Sequence, residues 1–482
     1  MPVCLGIPSQ KSKENKMAVE TANTDQQSNS GLVKGLSLFD AVLLGIGTIV
    51  GSAIFLTSGD MVQAIPSGFW LIAVWVGAGL VALAGALTYG EMACLFPRAG
   101  GQYVYLKEAY GSLAGFLYGW TFFLIIWNGS NAAVATGFTE YLSYFIPSLS
   151  FKHSLFRISL LGFPLSVSYG QMTSALAVSG FTFVNYFGLR YGKPVQNALT
   201  SLKIILFAFF IILGFAVGRG GHLSAQVLFS KEALHLSGVS AFGVALIAAV
   251  WTYDGWYSAA SMASEVKNAK KNLARSMILA ISAVIVIYVM VNFVFLYALP
   301  LNKIAGVTRI GEVASGALFG PLGAPLLSAV IVISAFGCLN SCIISGPRVY
   351  YAMAKDGLFF KGLAKVHPKY HSPGPAIIAQ GIWSSLLCLT GKYRDLYEFV
   401  VFGILLFACL TGAAIFVLRK KYPDEERPYR TLGYPVIPLI FIGVNAWIFI
   451  NMFLQKPRAA GIGALIILAG LPAYFFWKSK KK

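Results

Sequence analysis

Apolar segments about 20 residues long recur along most of this chain, and they limit its possible folds more than any other feature. A helix needs about 20 apolar residues to cross the hydrocarbon core of a bilayer. Hydrophobic residues make up 57% of the 482 residues, and charged residues only 11%, against roughly 25% in soluble domains. A soluble core could not bury this much apolar surface, so we predict an all-α membrane protein.

Twelve apolar runs, separated by charged or proline- and glycine-rich breaks, predict twelve transmembrane helices. The predicted spans are residues 37–64, 67–95, 112–146, 169–189, 194–217, 239–263, 274–299, 311–353, 373–390, 396–418, 433–454 and 459–477. The eighth run is too long for one crossing. Its part at residues 311–320 is expected to form an external or tilted helix.

The chain is expected to divide into three parts. Residues 1–35 are polar and predict a disordered cytoplasmic tail, residues 36–420 a ten-helix transport core, and residues 421–482 helices 11 and 12 with a short basic cytoplasmic tail. Twelve crossings put both termini on one side, and the loops of that side hold 27 of the 37 Lys and Arg residues. The positive-inside rule therefore predicts cytoplasmic termini in a plasma membrane.

The net charge of +19 does not indicate nucleic acid binding. Its basic residues lie in short loops between apolar runs, where they set membrane orientation. The six cysteines show no metal-ligand spacing, and five of them lie in or beside spans, so we expect neither a metal site nor a disulfide framework. No convergent set of His, Cys or acidic residues predicts an enzyme, and no cofactor is expected.

The first run contains three glycines within seven residues, in the segment 45–55, GIGTIVGSAIF. Each glycine costs a helix about 1 kcal/mol relative to alanine. In a bilayer, irregular backbone survives only where protein or a water-filled cavity covers it. A break here would expose free N–H groups at one end and free C=O groups at the other, which suits the two charges of an α-amino acid. Close helix packing is the alternative explanation.

The sixth run carries Asp254 and Gly255 near its middle, surrounded by aromatic residues. An acidic residue inside a span indicates a functional site. The first and sixth runs lie five helices apart, which is the interval between the two interrupted helices of carriers with inverted repeats. We therefore predict a 5+5 inverted repeat in which helices 1 and 6 are interrupted and face each other at the bilayer midplane.

Four segments resemble the amino acid–polyamine–organocation superfamily, and most closely its L-amino acid transporter (light-chain) branch. They are GIGTIVGSAIF, FPRAGGQYVYLKEAYG at 96–111, EVKNAKKNLARSMI at 265–278 and GCLNSCIISGPRVYYAMAKDG at 337–357. The resemblance implies a LeuT-like fold. It also implies that the N–H groups of the first break hold the substrate carboxylate and that carbonyls of both breaks face its ammonium. The implied binding positions are Ile49, Val50, Gly51, Ser52, Ala53, Trp251, Asp254 and Gly255.

The resemblance implies roles for two further side chains. Trp251 stands where the family places an aromatic gate over the substrate. Lys203 matches a lysine whose ammonium occupies the place of a sodium ion in related sodium-driven carriers. From the residues alone, Lys203 is either a fixed cation that ties the first helix to the fifth or a lysine that reaches the membrane interface.

Several polar residues leave two interpretations open. Asn128 either lines the pocket or packs, and Asn340 either lines the pocket or bonds a neighbouring helix. Tyr257 replaces a residue that is often asparagine in the family, which affects the expected pocket shape. Glu91 is expected to form a structural or gating ion pair, with Arg98 close by in sequence, and residues 420–430 are expected to form a solvated loop.

We predict a secondary transporter that moves neutral or small L-amino acids by alternating access. It is expected to be sodium-independent and to work by exchange or by proton coupling. The alternatives are a carrier of cationic amino acids or polyamines, with Asp254 as counter-charge, and a non-transporting sensor with a carrier fold. The expected partners are the amino acid and the lipid bilayer. The loop at residues 147–168 lacks the cysteine that links animal members to a heavy subunit, so no disulfide-linked heavy subunit is expected.

Overall fold

The computed structural model describes residues 31–160, 163–224, 236–390 and 393–480. Residues 1–30 of the predicted tail at 1–35 lie outside the described residues, as do the last two lysines. The helices are α1 (Leu38–Ile49), α2 (Ile54–Ala64), α3 (Gly68–Leu95), α4 (Gln102–Tyr110), α5 (Ser112–Thr121), α6 (Trp127–Leu142), α7 (Tyr169–Tyr186), α8 (Leu189–Ala216), α9 (Leu236–Tyr253), α10 (Ser258–Ser261), α11 (Ala269–Ala298), α12 (Leu301–Ile304), α13 (Ile310–Phe319), α14 (Gly323–Ser345), α15 (Pro347–Lys355), α16 (Gly374–Cys388), α17 (Tyr393–Lys421), α18 (Val436–Gln455) and α19 (Pro457–Ser479).

The described residues contain seven helical segments that are long and apolar enough to cross a membrane, or eight if α1 and α2 together form one span. These two helices meet at an angle of 49°. The apolar part of α9, Ala241–Tyr253, and α16 are shorter apolar helices. The predicted spans at 112–146 and 169–189 are also helical over most of their length. The chain is therefore a multi-pass, predominantly helical membrane protein.

One connection between helices contains a short β-sheet. Strands β1 (Ser154–Leu160) and β2 (Phe163–Ser168) pair as an antiparallel hairpin between α6 and α7. The sequence analysis did not predict this hairpin, because hydropathy over a bilayer-length window cannot detect a pair of six- and seven-residue strands. The hairpin is a departure from the predicted all-α architecture.

The first helix begins at a well-defined cap. Ser37 accepts a hydrogen bond from the Asp40 N–H, and the Asp40 side chain accepts one from the Ser37 N–H, which forms a capping box. Asp40 also pairs with Lys193 at 2.9 Å and accepts a hydrogen bond from Asn197 at 2.6 Å. The start of α1 is therefore attached to α8. Farther along, α1 also packs against α11 and α14.

The end of α17 and the loop after it pack on the end of α3, where Glu91 forms the expected ion pair but not with Arg98. Glu91 pairs with Arg419 at 2.7 Å and Arg427 at 3.0 Å, and it accepts the Thr431 N–H at 2.8 Å. Arg98 pairs instead with Glu108, at 2.6 Å. Arg427 is only 8% exposed, so part of the loop expected to be solvated is packed. Nearness in sequence could not show that a loop more than 300 residues away supplies the partners of Glu91.

Candidate substrate site

Two non-helical segments border one cavity. The first is residues 50–53, between the end of α1 and the start of α2. The second is residues 254–257, between α9 and α10. The cavity has an empty volume of about 440 Å³ and also touches α6 and α14. Its lining residues are Thr48, Ile49, Gly51, Ser52, Ala53, Trp127, Ser130, Val134, Trp251, Thr252, Asp254, Gly255, Cys338 and Cys342.

The first break leaves hydrogen-bond donors without partners at the cavity wall. Among the described residues, nothing accepts a hydrogen bond from the N–H groups of Gly51, Ser52 or Ala53. The Ser52 hydroxyl is also buried without a partner. Buried donors of this kind are rare and costly, so they mark a place where a ligand or water completes the structure. Together with the dipole of α2, they make this wall suitable for an anionic group.

Lys203 lies directly behind the first break. Its ammonium donates hydrogen bonds to the carbonyls of Val50 at 2.6 Å, Gly47 at 3.1 Å and Ser334 at 3.2 Å. The side chain has no exposed surface, so it does not reach the membrane interface. It is a buried cation that joins α8 to the end of α1 and to α14.

The carbonyls at the end of α1 are already engaged. The Ile49 carbonyl accepts a hydrogen bond from the Tyr288 hydroxyl at 2.9 Å, and the Val50 carbonyl accepts one from Lys203. The Thr48 carbonyl accepts one from the Cys338 thiol at 3.0 Å. The carbonyls of Ile49 and Val50, which were expected to face the substrate ammonium, therefore already have partners inside the protein.

The second break places a carboxylate in the cavity wall. Asp254 accepts a hydrogen bond from the Tyr257 hydroxyl at 3.3 Å, and no Lys or Arg among the described residues pairs with it. Gly255 has a φ of +99°, and a Cβ there would stand 2.5 Å from the Thr48 Cγ2 atom. Only glycine fits such a backbone this close to α1. The two breaks are therefore in direct contact.

Hydroxyl groups join the helices on either side of the two breaks. The Thr48 hydroxyl donates to Ser258 Oγ at 3.1 Å, and the hydroxyls of Thr57 and Thr252 lie 3.3 Å apart. Trp251 lines the cavity at the end of α9 and is 6% exposed. Its carbonyl accepts the Asp254 N–H at 3.2 Å.

Val50 and three further predicted pocket residues do not line this cavity. Asn128 hydrogen-bonds Tyr350 and Ser384. Asn340 lies between two other helices, where it accepts from Asn185 at 2.8 Å and donates to Gln196 at 2.9 Å. These amides bond neighbouring helices, which is the packing alternative for both. Tyr257 lines a second cavity on the other side of the break, together with Tyr89, Tyr118 and Trp256, and Asp254 borders both cavities.

The structure adds wall residues that the sequence analysis did not assign to the pocket. Thr48 and Val134 line the cavity, and so do both cysteines of α14, for which the sequence analysis gave no binding role. Their position four residues apart was the available signal, because it puts both on one helix face. Nothing in the sequence indicated that this face borders the first break.

Hydrogen bonds join the segment before α1 to the segment after α10. The N–H groups of Gly35 and Leu36 both donate to the Glu265 carbonyl at 2.9 Å, and the Lys267 N–H donates to the Leu36 carbonyl at 2.8 Å. The Glu265 carboxylate accepts two hydrogen bonds from Arg348, at 2.7 and 2.9 Å, and both side chains are 1% exposed. The segment before α1, the segment after α10 and α15 therefore meet in a single seal.

Comparison with known proteins supplies the family. A family model described as amino acid permease matches residues 36–476, which include both breaks, Lys203 and the Glu265–Arg348 pair. The chain belongs to the amino acid permease family. It is thus an amino acid transporter of the amino acid–polyamine–organocation superfamily, and the members it resembles are transporters rather than enzymes.

This permease has relatives in bacteria and animals. It is 32% identical to the serine/threonine exchanger SteT of Bacillus subtilis (strain 168), over 94% of this chain and 99% of the relative. It is 28% identical to the human large neutral amino acids transporter small subunit 2, over 94% of this chain and 82% of the relative. It is 25% identical to the mouse b(0,+)-type amino acid transporter 1, over 95% of this chain and 91% of the relative.

Proposed function

We propose that this permease is a secondary transporter of small neutral L-amino acids that works without sodium. The observation that carries the proposal is the group of unpartnered donors in the first break, which line the same cavity as Asp254. A free amino acid carries a carboxylate and an ammonium a few ångströms apart, and this wall offers a complement to each. Uncharged lining residues such as Val134, Ser130 and Trp127 suit a small neutral side chain.

The substrate carboxylate binds the N–H groups of Gly51, Ser52 and Ala53, and the Ser52 hydroxyl adds a further hydrogen bond. The ammonium faces the second break, where the carbonyls of Trp251 and Asp254 and the Asp254 carboxylate lie. The Ile49 carbonyl contributes through its remaining lone pair, whereas the Val50 carbonyl acts as a structural acceptor for Lys203 and the Ser334 hydroxyl. Gly255 keeps the two breaks close enough for one small molecule to touch both.

Lys203 replaces a coupling cation. Its ammonium is bound by three carbonyls, which is the kind of ligand set that sodium takes at unwound helices in related carriers. A permanent cation in this place removes the need for sodium and holds the end of α1 against α8. Coupling by exchange or by a proton is compatible with this arrangement.

The proposed architecture has twelve transmembrane helices with a 5+5 inverted repeat. In it, α1 and α2 form the interrupted helix 1, and α9 and α10 belong to the interrupted helix 6. The 49° bend between α1 and α2 supports the first assignment. Alternating access then consists of a movement of these two helices against the rest, with Trp251 as gate and the seal at Glu265 as the inner closure.

The remaining assignments follow the charge distribution and the relatives. We place both termini in the cytoplasm of a plasma membrane, because the basic loops lie on the side of the termini. The relative named a serine/threonine exchanger supports serine and threonine as the first substrates to test. The cysteine-free segment 147–168 supports transport by this chain without a disulfide-linked heavy subunit.

Uptake by purified protein in proteoliposomes tests this function. We expect labelled L-serine to enter vesicles preloaded with unlabelled L-serine at the same rate in sodium and in choline buffers. Empty vesicles distinguish the two coupling modes, since an exchanger needs the preloaded amino acid and a proton symporter needs only an inward proton gradient. A sodium requirement, or no uptake of any amino acid, contradicts the proposal.

A carrier of cationic amino acids or polyamines is the second candidate. It is favoured by Asp254, which borders two cavities and has no basic partner among the described residues. Competition against labelled serine by all twenty amino acids and by diamines separates the two candidates. Inhibition by lysine, arginine or putrescine stronger than that by serine and threonine would favour the second.

A further inference from the structure

Two cysteines line the substrate cavity and have no role in the mechanism above. Cys338 and Cys342 are four residues apart on α14, so their Cβ atoms lie on one helix face, about 5–6 Å apart. Both are free, and they are 2% and 3% exposed. Among the described cysteines, these are the two that border the cavity between the breaks.

The two thiols lie against the first break. Cys338 donates a hydrogen bond to the Thr48 carbonyl at 3.0 Å, and a Cβ added to Gly51 would stand 3.1 Å from its sulfur. Anything bonded to both sulfurs would therefore occupy space next to the N–H groups that we assign to the substrate carboxylate. A site on these sulfurs competes directly with the amino acid.

The charges around the thiols select the kind of ligand. Lys203 lies beside this part of α14, since a Cβ added to Gly337, the residue before Cys338, would stand 3.1 Å from its ammonium nitrogen. A soft metal cation prefers deprotonated thiolate ligands, and it would place a second positive charge beside this ammonium. An uncharged electrophile that prefers sulfur adds no charge beside Lys203, and its leaving hydroxyls can take up the thiol protons.

We propose that Cys338 and Cys342 form a two-thiol binding site for trivalent arsenic, which enters as the uncharged trihydroxide As(OH)₃. Each thiol transfers its proton to one arsenic-bound hydroxyl, and two As–S bonds replace two As–O bonds. Two water molecules leave, and arsenic stays trivalent, so no oxidant or reductant takes part. The route of entry, through the substrate cavity, rests on the proposed function, whereas the bond formation does not.

Arsenite added to the purified full-length chain tests the site by two readouts. Intact-protein mass spectrometry is expected to show one arsenic atom per chain with loss of two waters. In proteoliposomes, serine exchange is expected to fall, with recovery after 2,3-dimercaptopropanol but not after a monothiol. Excess L-serine is expected to slow the inhibition, because both ligands need the same cavity.

Single variants provide the matched comparison. Cys338→Ser and Cys342→Ser each leave one sulfur, so the arsenite concentration for half inhibition, relative to each variant's own exchange rate, is expected to rise at least about tenfold. Cys388→Ser removes a buried thiol of α16 outside the cavity and is expected to respond like the unmodified chain. An adduct that persists in the Cys338→Ser, Cys342→Ser double variant, or no adduct in the unmodified chain, overturns the proposal. A chain that binds arsenic but exchanges no amino acid would instead refute the proposed function alone.

Discussion

The ammonium of Lys203 lies 2.6 Å from the Val50 carbonyl, at the point where the first helix loses its regular hydrogen bonding. Two more carbonyls, of Gly47 and Ser334, complete its surroundings. A buried charge is stable only when such partners surround it. The break and the lysine therefore depend on each other: the lysine satisfies the freed carbonyls, and the carbonyls solvate the lysine.

Lys203→Ala is expected to abolish most transport. The substitution removes the cation and leaves the Val50 and Gly47 carbonyls buried without that partner, which costs about 1–3 kcal/mol per group. We expect serine exchange to fall by at least about tenfold, measured on protein that still elutes as a single species by gel filtration. Lys193→Ala is the control, because Lys193 is 32% exposed and its loss should have a smaller effect. Full exchange by Lys203→Ala would exclude the tether role.

Substitutions in the first break separate backbone from side-chain binding. Ser52→Ala removes one hydroxyl and leaves three N–H groups, so the half-saturating serine concentration is expected to rise only a few-fold, by about 0.5–1.5 kcal/mol. Gly51→Val places a branched side chain where even a Cβ would be 3.1 Å from the Cys338 sulfur, and exchange should be lost. If Ser52→Ala proves the more damaging, the hydroxyl rather than the backbone holds the carboxylate.

Glycines of α1 and α3 test the contribution of close packing. A Cβ at Gly47 would stand 2.0 Å from Gln196 Nε2, whereas a Cβ at Gly77 meets nothing within 4 Å. Gly47→Ala is expected to destabilise the fold by about 1–3 kcal/mol and to lower the melting temperature in detergent. Gly77→Ala should leave the melting temperature unchanged or raise it, since alanine favours a helix. Equal melting temperatures for both variants would contradict the packing geometry.

Removing one charge of the Glu265–Arg348 ion pair is expected to weaken the seal strongly. Breaking a fully buried ion pair costs about 3–5 kcal/mol, because the remaining charge stays buried. Glu265→Gln should therefore lower the melting temperature and expose the segment before α1 to labelling, tested with a cysteine at position 36 and a membrane-impermeant maleimide. Glu108→Gln is the comparison: Glu108 is 21% exposed, against 1% for Glu265, so loss of its charge should cost less. A Glu265→Gln protein as stable as Glu108→Gln would argue against the seal.

The features of the fold that could be predicted are those that depend on local composition. Span length follows from the bilayer and is readable as apolar runs, so the multi-pass character was accessible from hydropathy. The glycines of the first break had two explanations, and the structure uses both: Gly47 packs against Gln196, while Gly51 lies in the non-helical segment. One glycine-rich segment therefore serves two purposes: close packing at Gly47 and a helix break at Gly51.

The partners of polar side chains that are distant in sequence could not be predicted from the sequence. Glu91 has its partners on a loop near residue 427 rather than at Arg98, and the amides of Asn128 and Asn340 bond other helices. A buried polar side chain must find some partner, but composition and spacing do not say which helix provides it. For the same reason, the sequence did not show that Cys338 lies beside the first break.

Recognition of the two charged ends of one amino acid across the breaks is the central claim, and competition by modified substrates tests it most directly. Exchange of labelled L-serine would be measured against unlabelled L-serine, L-serinamide, which lacks the carboxylate, and glyceric acid, which lacks the ammonium. We predict that only L-serine competes at concentrations near its own half-saturation. Competition by serinamide or glyceric acid equal to that of serine would contradict the claim.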